Sequence, residues 1–460
     1  MKGMLRCVSA LLLMVLLATF CLWRYEKIDT VTAYLSDAMA RLDLLTTLAE
    51  QGAEPGGNPS GTPSAPSDPG SDYSDFNPTD AIDESLLLAL RVGLEELQEE
   101  IDLTAVSPAP TKDAVKAAMA SIIYSSPQFF YLNSAYSISS MSDGSVQSVK
   151  PTYTATKDEI ATMRVTYEAA LSEIVAGAPQ NGTDFDKVLY LHDYFIKNYS
   201  YDDALVIRDA YNFFTQKKGV CQAYMLALIA AAERLGVESL PVTSDPMKHA
   251  WNLVKLGDAW YHVDLTWDDA RSLPTLVSYT YFLQSDAGLI AIDAAREEKD
   301  RHRSWTAAVA ATDTTYDAAA FRGANTPIIK HNGIYYCTGS TENAASGVRG
   351  VIYAGENVAA MQQLREITGG YWLAQNGYYY TDCYAGLAVI GDHLYYHSGN
   401  SICRIALGNT ADYHVHLVTD LAAGESIYGF LGVQDGKLSY LVARTLSANE
   451  YRIGVYSLTS

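Results

Sequence analysis

The chain is short of basic residues and short of cysteine. Lys and Arg number 32 against 53 Asp and Glu, a net charge of −21 over 460 residues. A surface of that sign repels phosphate backbones instead of releasing their counterions, which excludes non-specific nucleic-acid binding. Six cysteines are too few for a disulfide-dense scaffold of this length. Cys7 and Cys21 fall in an N-terminal apolar run, Cys337, Cys383 and Cys403 lie toward the C-terminus, and Cys221 stands alone. An exported setting would allow one disulfide among the last three, with no pairing implied by their spacing. Charged residues make up only 18%, while 48% are apolar. That balance excludes a disordered or collagen-like chain, and the length suits about three domains at ~150 residues each.

Lys2 and Arg6 precede the apolar run Cys7–Trp23, which Arg24 follows. Standing upright, such a helix just crosses a bilayer core. The stretch after it lacks the small residues of a cleavage site. An uncleaved anchor over residues 1–25 is therefore the first expectation, a cleaved signal peptide the second, and in both cases the rest of the chain lies outside the membrane. Residues 26–51 read as a helical stalk. Residues 52–80 are rich in Gly, Pro and Ser, cannot offset their ordering entropy by burial, and read as a spacer.

From 81 to about 310 the pattern is that of a mixed α/β domain. Leu86, Leu87, Leu90, Leu94, Leu97 and Ile101 recur at helical spacing, predicting one helix through that stretch. Thr156 with Glu159 forms a capping box for a helix that ends near Gly177–Pro179. Thr183 opens another, with Val188, Leu189, Leu191, Phe195 and Ile196 on one side. Asp143–Gly144 is a hairpin turn. From 311 to 460 the texture changes, with 16 of the chain's 33 tyrosines and repeated Asn-Gly, Gly-Asp or Asp-Gly turns before alternating aromatic and apolar residues. Gly333 to Gly377 and Asp392 to Gly436 both span 44 residues, close to one four-stranded propeller blade. About three blades are too few to close a ring, so the expectation is an all-β module with propeller-like repeats.

Cys221 lies in Gly219-Val220-Cys221-Gln222-Ala223-Tyr224, and the pattern from Gln222 to Leu235 is helical. The thiol thus belongs to the first turn of a largely buried helix, where orphan N–H groups and the dipole favour negative charge. A lone cysteine is by default a small buried hydrophobe. The segment His249–Asp269 changes that reading, because it forms two strands joined at Gly257–Asp258. With Leu256 paired to Ala259, His249, Trp251, Leu253 and Lys255 share a face with Trp260, His262, Asp264 and Thr266, and Asp264 lies diagonally opposite His249. A one-residue slide of the turn puts the two directly opposite, whereas a three-residue turn would separate them. A histidine oriented by a carboxylate, near a cysteine at a helix start, outlines a nucleophilic triad.

Gly-Val-Cys-x-x-Tyr, His-Ala-Trp-Asn and Tyr-His-Val-Asp-x-Thr-Trp-Asp-Asp, in that order, resemble the bacterial transglutaminase-like superfamily of papain-type fold. The upstream segment Leu191–Asp203 resembles the helix and aromatic stretch that precede the cysteine there, so the likeness covers about residues 185–270. It implies an α+β core in which a helix carrying Cys packs on antiparallel strands carrying His and Asp. By the same resemblance Cys221 is the nucleophile, His249 the general base and Asp264 the orienting carboxylate. The spacings, 28 residues from Cys221 to His249 and 15 from His249 to Asp264, suit it. Ala223 departs from the pattern, standing where glycine is common. The family geometry also implies an oxyanion site made of the Cys221 N–H and one upstream side-chain donor, for which Tyr201 is the candidate. A packed aromatic with a satisfied hydroxyl is the competing view of Tyr201.

Gln222, Trp251 and Trp267 are candidates for lining a substrate cleft, though Gln222 on a helix points away from its neighbour and the tryptophans suit a core equally well. His192 reads as a hydrogen-bonded structural histidine. A His249/His262/Asp264 metal site is conceivable, but cysteine chemistry accounts for His249 and Asp264 without it, and neither metal nor cofactor is expected. Asp268–Asp269 could hold a cation, but an acidic pair after a strand reads first as a solvated turn. The leading expectation is an exported, surface-anchored thiol enzyme that acts on amide bonds of protein or cell-wall peptide through an acyl-enzyme, by hydrolysis rather than cross-linking. The alternative is a non-catalytic surface adhesion or scaffold protein that binds glycan or protein through the Tyr-rich module.

Overall fold

The structure is a computed structural model that describes residues 76–269, 275–294, 304–324, 326–343, 347–367, 371–373, 379–381, 386–398, 400–444 and 450–458. The anchor, the stalk and nearly all of the spacer expected at the N-terminus lie outside these residues. Among the described residues no helix is long and apolar enough to cross a membrane. The chain divides into two compact units, one comprising Ser60–Pro327 with Gly355–Gln362, the other built from Ile328–Ala354 and Gln363–Ser460.

The first unit opens with α1 (Glu84–Glu95), N-capped by Asp83, whose carboxylate accepts from the Ser85 and Leu86 amides. Leu86, Leu90 and Leu94 are buried as the periodicity predicts, but the helix stops at Glu95 and does not reach Ile101. Leu97 adopts a left-handed backbone at φ 54°. The chain then doubles back, and Ile101 in β1 (Ile101–Asp102) packs onto Gly93, where a Cβ would lie 2.5 Å from its side chain. Close approach to a glycine thus overrides continued helical spacing. After α2 (Lys112–Ser125), strands β2 (Leu132–Ser140) and β3 (Val146–Tyr153) form the hairpin predicted at Asp143–Gly144. The predicted capping box of Thr156 with Glu159 starts α3 (Lys157–Ala176), and Thr183 starts α4 (Asp184–Asn198) as expected, there forming a second capping box with Asp186.

Strand β4 (Ser200–Tyr201) pairs in parallel with β5 (Lys218–Gly219), and α5 (Ala210–Gln216) lies between them in sequence. Next comes α6 (Cys221–Arg234), in which every residue from Cys221 to Ala232 is buried. A helix apolar on all sides belongs at the centre of a domain. It packs against a five-stranded antiparallel sheet formed by β6 (Ser239–Ser244), β7 (His249–Leu256), β8 (Ala259–Val263), β9 (Phe282–Gln284) and β10 (Thr306–Ala307), in the order β10-β6-β7-β8-β9. Leu256 pairs with Ala259 around Gly257, which takes φ 61°, so the register is the first of the two expected. Side chains alternate across a strand. Trp251 and Leu253 enter a core with Trp267, Tyr281 and Leu289, while Asn252 donates to the Met225 carbonyl of α6 at 3.1 Å.

The part-buried guanidinium of Arg322 donates to the carbonyls of Tyr279 (2.8 Å), Leu283 (2.8 Å) and Tyr316 (2.9 Å), and to that of Phe282. Burial pushes it down to about 10, and these carbonyls hold the 279–283 segment, including Leu283 at φ 56°.

The second unit is all β among the described residues, with sheets of four, two, four and three strands. The first comprises β11 (Ile329–His331), β12 (Ile334–Asn343), β13 (Gly347–Gly355) and β14 (Gln362–Ile367), and the second β15 (Tyr371–Leu373) and β16 (Tyr379–Thr381). The third comprises β17 (Leu387–Ile390), β18 (His393–Ser398), β19 (Ser401–Ala406) and β20 (Asn409–Leu417), and the last β21 (Ser426–Gln434), β22 (Lys437–Ala443) and β23 (Arg452–Ser457). The turns predicted at Asn332–Gly333, Gly391–Asp392 and Asp435–Gly436 all connect paired strands; Asn376–Gly377 lies outside the described residues. No sheet closes on itself among the described residues, and propeller-like repeats are not shown. Side chains of different sheets share cores. Tyr396 and Leu394 enter a core with Tyr336 and Ile352 of the first sheet, whereas Tyr395 enters one with Leu438 and Tyr440 of the last. Cys337 and Cys403 are buried and in no disulfide among the described residues, and Cys383 lies outside them.

Ala223, the departure from the familiar pattern, is accommodated because Gly219 faces it. A Cβ on Gly219 would lie 2.6 Å from that of Ala223 and 2.7 Å from the Phe213 ring. Gly219→Ala is therefore expected to lose about 1–3 kcal/mol by overpacking, measured by urea unfolding; a loss near zero would contradict the packing described.

Candidate functional site

Three elements bring Cys221, His249 and Asp264 together. Cys221 is the first residue of α6, with Val220 as its N-cap. His249 is the first residue of β7. Asp264 follows β8 and N-caps the one-turn helix α7 (Leu265–Asp268). All three are buried, at 0%, 1% and 1% exposure. The His249 Nε2 meets Asp264 Oδ2 at 2.6 Å, and the Trp267 amide donates to Asp264 Oδ1 at 3.1 Å, so both carboxylate oxygens are engaged. With Nε2 committed to Asp264, Nδ1 is the nitrogen left to face the thiol.

Burial alone would lower the His249 imidazole. The charge and hydrogen bond of Asp264, reinforced by the hydrogen bond and charge of Cys221, reverse that and push it up to about 10. The ring stacks with Trp251 (centroids 5.5 Å, 23° between planes) and with Trp267 (5.4 Å, 28°). These tryptophans are buried at 2% and 8% exposure. Gln222 is the second residue of α6 and is also buried. Tyr201 pairs with Gly219 across the short parallel ladder, which places it beside the approach to Cys221. Asp202 shapes the loop beyond. Its carboxylate accepts from the amides of Val206 and Ile207, both at 3.0 Å, and the Val220 amide donates to the Ile207 carbonyl at 2.9 Å.

His262, considered above with His249 and Asp264 for a metal, is turned to other partners. The Trp251 indole donates to its Nδ1 at 3.0 Å, and its Nε2 meets Asp286 Oδ1 at 2.8 Å. An indole N–H is only a donor, so Nδ1 accepts and Nε2 carries the proton. Among the described residues no cluster of His, Cys, Asp or Glu is arranged to hold a metal ion.

Sequence reasoning missed a second cluster next to this one. Asp268 is not a solvated turn residue; it is fully buried, and its Oδ2 meets His192 Nε2 at 3.2 Å. His192 Nδ1 meets Asp193 Oδ1 at 3.1 Å, and the Tyr279 hydroxyl donates to both oxygens of Asp193 at 2.9 and 3.0 Å. Asp268 Oδ1 accepts from the Tyr281 amide (2.9 Å) and the Ser278 hydroxyl (3.1 Å). Burial works to lower the His192 imidazole, but hydrogen bonds and charge from Asp193 and Asp268 raise it; on Asp268 burial prevails and the carboxyl is raised. Asp269 in turn accepts from the Tyr224 hydroxyl of α6 at 2.8 Å. Residues 76 apart in sequence carry no spacing signal, so only the apolar neighbourhood of His192 hinted at burial.

Residues 169–265 match the family model of the Transglutaminase-like superfamily, so the chain carries a transglutaminase-like domain. Part of the chain is also similar to two solved structures. One is a Cytophaga hutchinsonii protein described as a candidate cysteine protease, 16% identical over 29% of this chain and 61% of that one, with a TM-score of 0.20. The other is a TGase, 15% identical over 30% of this chain and 45% of that one, also with a TM-score of 0.20. The chain spans less than two thirds of either, and likeness at that level carries nothing about activity. No curated protein matches the chain.

The raised His249 pKa makes a signed prediction. A group whose pKa is higher folded than unfolded contributes stability that is fully present below about 6.5 and is lost as pH rises through the folded value, here about 10. Asp264→Asn removes the larger of the two influences that raise it, leaving burial opposed by Cys221 alone. The His249 titration, followed by NMR of its ring, is expected to fall well below its native midpoint, and the stability gap to the native protein to be widest below about pH 6.5 and to narrow toward pH 10.

Proposed function

We propose that the protein is a thiol enzyme that opens amide bonds of protein or cell-wall peptide through an acyl-enzyme at Cys221. The observation that carries this reading is the buried His249–Asp264 hydrogen bond at 2.6 Å, with Cys221 among the groups acting on the same imidazole. The match of residues 169–265 to the transglutaminase-like superfamily supports it.

In this reading His249 takes the Cys221 proton, and Asp264 holds the ring's orientation and stabilises the imidazolium. The sulfur attacks the amide carbon. The oxygen of the tetrahedral intermediate is met by the Cys221 N–H, which at a helix start lies outside the intrahelical ladder, and by the Tyr201 hydroxyl as a second donor. Collapse breaks the C–N bond, the leaving amine takes the proton from His249, and a thioester remains. A water molecule then gives His249 its proton and attacks the thioester, releasing a carboxylic acid and restoring the thiol. A lysine amine in place of water would yield an isopeptide cross-link. We favour hydrolysis because the matched region carries the core motifs alone. The charged N-terminus followed by the apolar run Cys7–Trp23 supports a location outside the cell membrane, held there by that segment.

The test is mass spectrometry of protein and cell-wall peptides incubated with the full chain. Cleavage or deamidation that disappears in Cys221→Ala supports hydrolysis, ligation points to cross-linking, and products that persist in Cys221→Ala overturn the reading. His249→Ala is expected to slow turnover by about 10²–10⁴-fold, the usual range for losing a general acid–base.

A further inference from the structure

The helix that carries Asp264 is one turn long and cannot hold its own place. Its upstream end is fixed by what Asp264 does: Oδ1 accepts from Trp267, and Oδ2 meets His249. Its downstream end is fixed by Asp268, whose amide donates back to the Asp264 carbonyl at 3.1 Å. Asp268 has no solvent exposure, and its side chain reaches His192 on α4. His192 is equally buried, stacks on Tyr279 (centroids 5.0 Å, 22°), and presents its other nitrogen to Asp193. An imidazole between two ionised carboxylates satisfies both only when both nitrogens carry protons.

We propose that His192 is a positioning residue for the reaction described above: as an imidazolium bridging Asp193 of α4 and Asp268 of α7, it fixes the short helix that aims both Asp264 and Trp267 at His249. This rests on the thiol-enzyme reading for its purpose, but not for its geometry. The two contacts of His249 made from α7, the 2.6 Å hydrogen bond and the 5.4 Å ring stack, move together if α7 moves. Tyr224 ties the same segment to the cysteine helix through Asp269. The charged and titratable groups facing this bridge are Asp193 on α4, Asp268 and the nearby Asp264 on α7, Tyr279 stacked on the ring, and Arg322, whose charge and that of Asp268 act on each other from the Tyr279–Leu283 side.

Removing the bridge should disturb His249 without touching it. Asp268→Asn keeps the size and the acceptor for the Tyr281 amide but puts an N–H donor against His192. His192→Asn removes the bridging ring.

The experiment is NMR of the full chain labelled with ¹⁵N-histidine. In the native protein His192 is expected to show both ring nitrogens protonated at about pH 8, where an ordinary histidine is neutral. In Asp268→Asn and His192→Asn, each with a native circular dichroism spectrum, the His249 titration midpoint is expected to fall by about 1–3 pH units, the scale set by one nearby charge. On a substrate found in the peptide assay, kcat should fall while KM holds. A native His192 that is neutral at that pH overturns the proposal even if neither variant folds, and so does an unmoved His249 midpoint in a folded variant. If His249 responds to Asp268→Asn while no peptide is ever turned over, the thiol-enzyme reading fails and the bridge stands.

Discussion

The hydrogen bond from His249 to Asp264 joins two ionisable side chains that have almost no contact with water. Taking such a pair out of water costs several kcal/mol per ion unless geometry and further hydrogen bonds offset it. Much of the first unit can be understood as meeting that demand. The backbone of α7 supplies an N–H to the free carboxylate oxygen, two indoles close over the imidazole, and the thiol faces the same ring from the start of the central helix. The part-buried cation Arg322, which donates to backbone carbonyls, holds the 279–283 segment, whose Tyr281 amide and Tyr279 hydroxyl serve Asp268 and Asp193.

Local chemistry made much of this legible before any coordinates. Thr156 announced its helix because a hydroxyl and a carboxylate three residues apart satisfy the first amides reciprocally, and Thr183 did so as a capping residue ahead of an apolar helical pattern. The Gly257–Asp258 turn announced the hairpin because a glycine takes a left-handed backbone there without strain, and either two-residue register puts Asp264 on the face of His249; the structure adopts the one that pairs Leu256 with Ala259. What spacing could not show was tertiary. The leucine pattern that starts at Leu86 continues to Ile101, yet the helix ends at Glu95, because Gly93 lets the returning chain lie directly against it. Asp268 looked like one of two acidic residues after a strand; its partner His192 lies on a helix 76 residues earlier, a distance no local pattern spans.

The Tyr-rich unit shows the same division. Its turns were readable from Gly, Asn and Asp, and the alternation of aromatic residues correctly implied strands. In Tyr395 and Tyr396, adjacent residues face opposite ways, one into each of two neighbouring cores. These tyrosines hold sheets together through their rings. Such packing gives them a structural task and does not favour the view that the same aromatics form a binding surface.

The sulfur of Cys221 is sealed in this conformation, with zero exposure. An electrophile in solution, or a peptide, meets no nucleophile until local opening uncovers it. With reagent in large excess, covalent modification should then saturate at the opening rate, so kinetics would report how often the domain breathes and not how nucleophilic the sulfur is. The same seal shields the thiol from peroxide, since oxidation of a cysteine follows its exposure.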